Sequence, residues 1–364
     1  MPTPFFRIEM LPARHGDCLW VEYGQGDETQ RLLIDGGPVS TFEFIEKRLH
    51  QVPQGERAFE LVVLTHVDAD HVEGLVRLFA ERPLPFVVDT VWFNGWRQMK
   101  KSHKLLGAMQ GEFLSALLVR RVPDAWKADG APVVVQRDGK LPVTTLPGGM
   151  QLTLLSPTPA KLQQMAKVWE AAVKKEGFDP GNLDAAWQKL AKQKKFLPKK
   201  GLLGAAPDLD ALLKNQFVQD QAKPNGSSIA FLAEFAQRSA LFLADAHPNV
   251  VTASVKRLCA ERGIACLKVD AVKVSHHGSK GNTNNALLKL VDCPRWLIST
   301  NGDQFKHPDK PCLARILKIA KPKEICFNYR SAYTKPWLTN AAQRAYGYRA
   351  VVRSDATLSL KVEL

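Results

Sequence analysis

Residues 61–71, LVVLTHVDADH, decide how the rest of the chain is read. The run Leu61-Val62-Val63-Leu64 is apolar and β-rich, the signature of a strand buried on both faces. It ends on His66-Val67-Asp68-Ala69-Asp70-His71, which places four metal-ligand side chains within six residues. Val72, Leu75, Val76 and Phe79 then recur at helical spacing, so the acidic and imidazole residues sit at a strand-to-helix junction. Crowding carboxylates and imidazoles at a strand end costs repulsion and desolvation, and a divalent cation relieves both by direct coordination. The alternative is a solvated loop that happens to be rich in Asp and His.

The pattern extends outward in both directions. Upstream, FFRIEML, CLWVEYG and RLLIDGG are short apolar runs separated by turn residues and read as successive strands. Downstream, SSIAFLAEF and SALFLADA read as two adjacent strands, AVKVSHHG as another, and WLIST as a fourth ending at Asn301-Gly302-Asp303. VVTASVKRLCAERG has the helical period and a closing Gly263. Two of these strand ends offer further ligands: Asp245 after LFLA, and His276-His277 after AVKV. Asp245 by itself would as readily be a capping carboxylate; after an apolar strand, in a chain carrying the first motif, it is read as a ligand. Because adjacent residues of an extended chain point opposite ways, His276 and His277 are expected to split, one binding metal and the other contacting substrate or bracing the site.

Between the halves, residues 85–223 differ in character. They carry VWFNGW, the Pro- and Gly-bearing LPVTTLPGG, and a Lys-rich helical tract from Lys161 to Lys223 with the dense basic run KLAKQKKFLPKKG. This section is read as an insertion into a single domain spanning 1–364. Its basic run is either a solvated face or a surface that touches a polyanion.

Composition narrows the class. Of the 364 residues 45% are hydrophobic and 24% charged, which excludes disordered and fibrous chains. No apolar stretch approaches the roughly 20 residues needed to cross a bilayer, and MPTPFFRIEM has no basic segment followed by an apolar one, so a cytoplasmic protein with no membrane partner is expected. The six cysteines form no CxxC pair, which argues against a disulfide scaffold or a thiolate metal site. A formal charge of +14 favours polyanionic partners, though a basic surface also serves solubility.

With the motifs in place, the sequence resembles the metallo-β-lactamase superfamily. LLIDGG is similar to the family's early strand ending in Asp, here Asp35; HVDADH to its HxHxDH signature; Asp245 to its bridging Asp; and SHHG to its last His motif. Within that superfamily the sequence is most similar to the ComEC-type hydrolase domain of bacterial DNA-uptake channels, through HGDCLWVEYG with LLIDGG, SHHGSKGNT, and NGDQFKHP. The likeness covers roughly residues 8–80 and 225–310. It implies an α/β fold, a four-layer αββα sandwich, with one or two divalent metal ions held by His66, Asp68, Asp70, His71, Asp245, His276 and His277.

Two departures bear on the metal. Asp68 stands where the family has its second His, and no His occupies a strand end between His71 and Asp245; His103 lies in a polar stretch, and NGSSIA takes the likely place. A position formed by His66, Asp68 and Asp245 is oxygen-rich and favours Mn²⁺ or Mg²⁺, while Asp70, His71 and one of the His pair suit Zn²⁺. Zn²⁺ or Mn²⁺ is therefore the expected cofactor.

The expected chemistry is hydrolysis of a phosphoester by a metal-bound hydroxide, the phosphate-containing substrate being DNA, RNA or a nucleotide. Asp70 would orient the nucleophile, and His307 and Lys280 would attend the leaving group or phosphate. Ser279, Lys280 and Asn282 form a Gly-rich loop that could cradle a phosphate through backbone N–H groups, or be an ordinary loop. Asp17 and Asp35 are expected to brace the loops beneath the metals. His247 would be a bracing or exposed residue, and His15 and His50 carry no signal. The rivals are hydrolysis of a carbon ester, lactone or β-lactam, and a binding module that keeps the fold without turnover. Oligomeric state is open.

Overall fold

The structure, a computed structural model, describes residues 2–99, 108–175, 177, 179–190 and 217–364. Among them, the strands are β1 (Pro4–Met10), β2 (Leu19–Gln25), β3 (Glu28–Ile34), β4 (Ala58–Val63), β5 (Val87–Trp92), β6 (Val143–Thr145), β7 (Gln151–Ser156), β8 (Ala230–Phe235), β9 (Arg238–Phe242), β10 (Leu267–Lys268), β11 (Ala271–Lys273), β12 (Val291–Asp292), β13 (Arg295–Ile298), β14 (Glu324–Phe327), β15 (Arg349–Val352) and β16 (Leu360–Glu363). They build a six-stranded sheet in the order β16-β1-β2-β3-β4-β5, an eight-stranded sheet in the order β15-β14-β13-β11-β9-β8-β7-β6, and the short pair β10-β12.

Alternation along the strands explains the layers. In the first sheet Leu19, Val21, Leu32, Ile34, Leu61 and Val63 turn inward and pack with Leu152, Leu154, Phe231 and Leu241 of the second. Their neighbours Trp20, Leu33, Val62 and Leu64 turn outward, against Ile45 and Leu49 of the helix Phe42–His50 and Val72, Leu75 and Phe79 of the helix Ala69–Phe79. On the far side of the second sheet, Val251, Val255 and Leu258 of the helix Pro248–Arg262 and Leu313 of Lys310–Arg315 join the inter-sheet core. The result is helices, sheet, sheet, helices: the expected mixed α/β sandwich with the metallo-β-lactamase fold.

The strands read from the sequence are present, and Gly263 closes the helix Pro248–Arg262 with a left-handed φ of 65°. The limits set for the insertion need correction. β5 lies inside 85–223, yet it pairs in parallel with β4 and forms the edge of the first sheet. β7 pairs onto β8 and β6 onto β7, so that β6 forms the edge of the second. VWFNGW and LPVTTLPGG therefore belong to the sandwich. Their Gly and Pro residues lie in the connecting segments, Gly95 after β5 and Pro147-Gly148-Gly149 between β6 and β7, not in the strands. Of the Lys-rich tract, Pro159–Lys175 and Leu183–Leu190 are helices, whereas Lys192, Lys194, Lys195, Lys199 and Lys200 lie outside the described residues, as does His103. No helix among the described residues is long and apolar enough to cross a membrane.

Candidate metal centre

β3 and β4 run parallel in one sheet, β9 and β11 in the other, and the loops that follow them carry the chemistry. Parallel strands deliver their carboxyl ends to one edge, where side chains are free of the ladder. After β4 come His66, Asp68, Asp70 and His71; after β9, Asp245; after β11, His276 and His277. These are the three strand ends anticipated from the sequence, and they meet at one oxygen. Asp245 Oδ2 lies 3.8 Å from His66 Nε2, 3.6 Å from His71 Nε2, 3.6 Å from His276 Nε2 and 3.7 Å from His277 Nε2. Asp70 Oδ2 closes the other side, 3.6 Å from His277 Nε2 and 3.9 Å from His71 Nε2, and Asp68 Oδ2 stands 3.6 Å from His66 Nε2.

Those separations exceed hydrogen-bonding distance. Two donors sharing one ion in tetrahedral geometry sit about 3.4 Å apart when each bond is about 2.1 Å. The buried Nε2 atoms of His66, His71 and His277, and Asp245 Oδ1, have no hydrogen-bond partner among the described residues. Orphaned buried donors and acceptors of this kind are costly unless something else engages them. His66, His71 and Asp245 form one group able to hold an ion, and Asp70, His71 and His277 another. The donor set therefore fits divalent metal binding.

The opposite ring nitrogens are all held. His71 Nδ1 lies 2.7 Å from Asp35 Oδ2, and Asp35 also accepts from Thr65 N at 2.8 Å and Thr65 Oγ1 at 2.7 Å. His66 Nδ1 is 3.1 Å from Thr65 Oγ1, and His277 Nδ1 is 3.0 Å from the Ser299 carbonyl. His276 Nδ1 is 3.0 Å from Asn282 Oδ1 and 3.5 Å from Asp220 Oδ2. Fixing Nδ1 sets the tautomer and turns each Nε2 towards the cluster. Beneath His277, Asp17 Oδ1 lies 3.4 Å from Nδ1 while Oδ2 accepts a 2.6 Å hydrogen bond from the buried Lys273 Nζ. Asp35 thus braces His71, whereas Asp17 contacts His277 and also forms, with Asp245 and His277, a third group able to hold an ion.

Electrostatics follow from this crowding. Burial lowers the proton affinity of His71, but Asp245, Asp35 and Asp70 outweigh it and hold the imidazole well above its usual range. For His277, burial is likewise overcome by Asp245 and Asp17, which lift it to about 9. Asp70 is pushed up by burial and drawn down further by His71 and His277, to about 2. Asp245 is buried too, yet the surrounding His276, His277 and His71 keep it far below the carboxylate range.

One expectation is corrected, and two alternatives left open by the sequence are decided. His276 and His277 do not point apart: φ of 47° and 53° puts both in the left-handed region, which cancels extended-chain alternation and turns both Nε2 atoms to Asp245. The Gly-rich loop is not an open phosphate cradle, because its N–H groups are taken. Ser279 N donates to His276 O, Lys280 N to Asp309 Oδ2, Gly281 N to Ser279 Oγ and Asn282 N to Ser279 O. The buried Asn282 side chain braces instead, donating to Asp220 Oδ2 at 2.9 Å and to Asp245 O at 3.1 Å. His247 is buried rather than exposed, between Lys161 Nζ at 2.9 Å and the Ala222 carbonyl at 2.8 Å.

His307 stands at the rim, its ring 5.3 Å from that of His276 and its Nδ1 3.6 Å from Asp309 Oδ1. Lys280 is exposed beside it. Sequence reasoning missed Asp220, Asn225, Lys273 and His15. Lys273 is a lone polar residue within an apolar strand, the one signal that it is paired inside.

The chain was compared with known proteins. Residues 11–149 match the model of the metallo-beta-lactamase superfamily, a stretch that includes His66–His71 and stops before Asp245. No curated protein matches. Among solved structures, a mutant of the CmlA beta-hydroxylase is similar with TM-score 0.39 and 15% identity over 100% of this chain, which spans about half of that one (55%). YhfI from Bacillus subtilis, a metallo-beta-lactamase fold protein, gives 0.39 and 10% with 100% of each chain covered. A diphosphatase of the PhnP family gives 0.37 and 15%, covering 100% of this chain and 98% of the other. The strand-end motif and the family match agree over residues 11–149, the stretch that corresponds to a metallo-beta-lactamase superfamily domain.

Proposed function

We propose that the protein is a metal-dependent phosphoester hydrolase, a phosphodiesterase or nuclease, that uses one or two divalent ions, Zn²⁺ or Mn²⁺. The observation that carries it is the convergence of four Nε2 atoms on Asp245 Oδ2 with Asp70 alongside. His66, His71 and Asp245 would hold one ion and Asp70, His71 and His277 a second, with Asp68 and His276 at hand beside His66 and Asp245. Ions there would supply Lewis acidity and lower the pKa of water to about 7.

The protein's own residues do the rest. Asp70, anionic through its two imidazole neighbours, accepts a hydrogen bond from the attacking water and so orients it. Asp35 and Ser299 O keep His71 and His277 from rotating as charge develops. His307, at the rim and backed by Asp309, donates the proton to the leaving oxygen, and the exposed Lys280 adds positive charge for the phosphate. The net charge of +14 and the likeness of SHHGSKGNT and NGDQFKHP to ComEC-type hydrolases support DNA or RNA as the substrate class.

The test is metal analysis of the purified chain together with turnover of bis-p-nitrophenyl phosphate, single-stranded DNA and RNA, set against a lactone and a thioester. Phosphodiester cleavage that disappears with EDTA and returns with Mn²⁺ or Zn²⁺ is expected. Lactone or thioester cleavage far faster than any phosphodiester would overturn the reading, and a chain that retains metal without any turnover would make it a binding module.

A further inference from the structure

Phe305 is 44% exposed on the loop between Asn301 and His307. A single exposed apolar side chain is ordinary. This one is set between two imidazoles that flank the metal cluster. The His15 ring meets it edge-on at 5.8 Å and 78°, and the His307 ring lies 6.2 Å away at 29°, close to parallel. His307 in turn stands edge-on to His276 at 5.3 Å, and His15 is near enough to Asp70 and His277 to feel their charge.

The two loops that carry these rings are fixed to one another. Asn301 N donates to the Arg14 carbonyl at 2.7 Å, and Ser299 Oγ donates to the Gly16 carbonyl at 3.0 Å. Gly302 lies so close to the Tyr333 ring that a Cβ there would fall 2.2 Å from it, and Lys306 N closes the loop on Gly302 O at 3.0 Å. Phe305 is thus an aromatic face held at the rim by backbone contacts, with exposed Lys306 next to it. An aromatic face paired with a cation beside a phosphate-handling centre is how proteins grip an unpaired base and its backbone, since every base offers a π-face.

We propose that Phe305, flanked by His15 and His307, is a stacking platform for an unpaired nucleobase of the substrate, and that it selects base-bearing phosphodiesters over those without a base. This rests on the phosphoester reading above. The platform makes no bond to the reacting atoms, so Phe305 is a specificity-determining residue.

The experiment is fluorescence anisotropy of the full chain with a phosphorothioate thymidine octamer and with its abasic analogue, alongside turnover of bis-p-nitrophenyl phosphate. The unmodified protein is expected to prefer the thymidine octamer, and Phe305→Ala and Phe305→Leu to reduce that preference by about 5- to 100-fold, the range typical of one lost stack. Phe305→Tyr should retain it, which separates stacking from simple apolar contact. Equal affinity of the unmodified protein for both octamers, or a preference in Phe305→Leu equal to the original, would overturn the platform while leaving diester turnover intact. Loss of the phosphoester reading would show differently, as absence of diester turnover in the unmodified protein.

Discussion

Asp35 is in none of the groups able to hold an ion, yet it accepts from His71 and twice from Thr65, and so fixes both the ring and the loop of the central motif. Asp35→Asn is expected to weaken metal binding about 10- to 100-fold while leaving the fold in place, because removing the charge behind a ligating imidazole costs about that much. Competition with a chromogenic chelator measures it; unchanged affinity would mean Asp35 serves the loop alone. Asp70→Ala and His71→Ala are expected to lose metal and activity together, with circular dichroism unaltered since the site lies at the sheet edges. Full activity in either variant would remove it from the site, and unfolding with metal loss would make the ion structural. Legibility at this scale followed clustering. His66, Asp68, Asp70 and His71 declare themselves by being adjacent, and Asp245 and His276-His277 by ending apolar strands. Asp220 does not, because an isolated Asp in a polar stretch looks the same whether it faces water or holds Asn225, Asn282 and His276 in place.

The helix Ala69–Phe79 owes its position to glycine. At Gly74 a Cβ would meet Gly36 O at 2.0 Å, and at Gly36 it would meet Leu75 N at 2.4 Å, so the loop after β3 and the helix touch backbone to backbone. Gly36 N donates to His71 O and Gly74 N to Gly37 O across that contact. Gly74→Ala should therefore destabilise by about 1–3 kcal/mol, the usual cost of overpacking, and displace the metal motif with it. Gly55→Ala, where nothing lies within 4 Å, is the control and should change little in denaturant melts. The helix Phe42–His50 is pinned otherwise. Arg48 Nη2 lies 2.8 Å from Glu9 Oε1 and 2.8 Å from Glu22 Oε1, with its guanidinium over the Trp20 ring at 4.5 Å. Arg48→Ala leaves Glu9 with Ser359 and Lys361 and Glu22 with Trp20 and Arg31, and is expected to cost about 1.5–3 kcal/mol in urea unfolding; a loss under about 0.5 kcal/mol would mean that the remaining partners suffice. The strands were legible by alternation and the helices by period, whereas the glycine contact and the charge network join residues too far apart in sequence for either pattern to show.

Across the whole molecule, the two sheets were foreseeable as a class, but the edges were not. β5, β6 and β7 looked foreign because the segments around them carry Asn94-Gly95, Pro142 and Pro147-Gly148-Gly149, which read as loop. If a nucleic acid is the substrate, neutralising Lys192, Lys194, Lys195, Lys199 and Lys200 is expected to weaken its binding and flatten the dependence on salt, each lost phosphate contact releasing about one counterion fewer. Turnover of bis-p-nitrophenyl phosphate should not follow the same trend with salt. An unchanged slope would place the contact surface elsewhere.

The spread of the centre along the chain also governs when it can exist. Its donors run from His66 to His277, and the carbonyl that holds His277 belongs to Ser299. A ribosome adds about 5–20 residues each second and folding proceeds from the amino end, so β1 to β5 are synthesised before Asp245, the histidine pair or β16 appears. For that interval the nascent chain displays His66, Asp68, Asp70 and His71 without the partners that complete either group. Completion of the donor set is thereby a late event in the birth of the molecule.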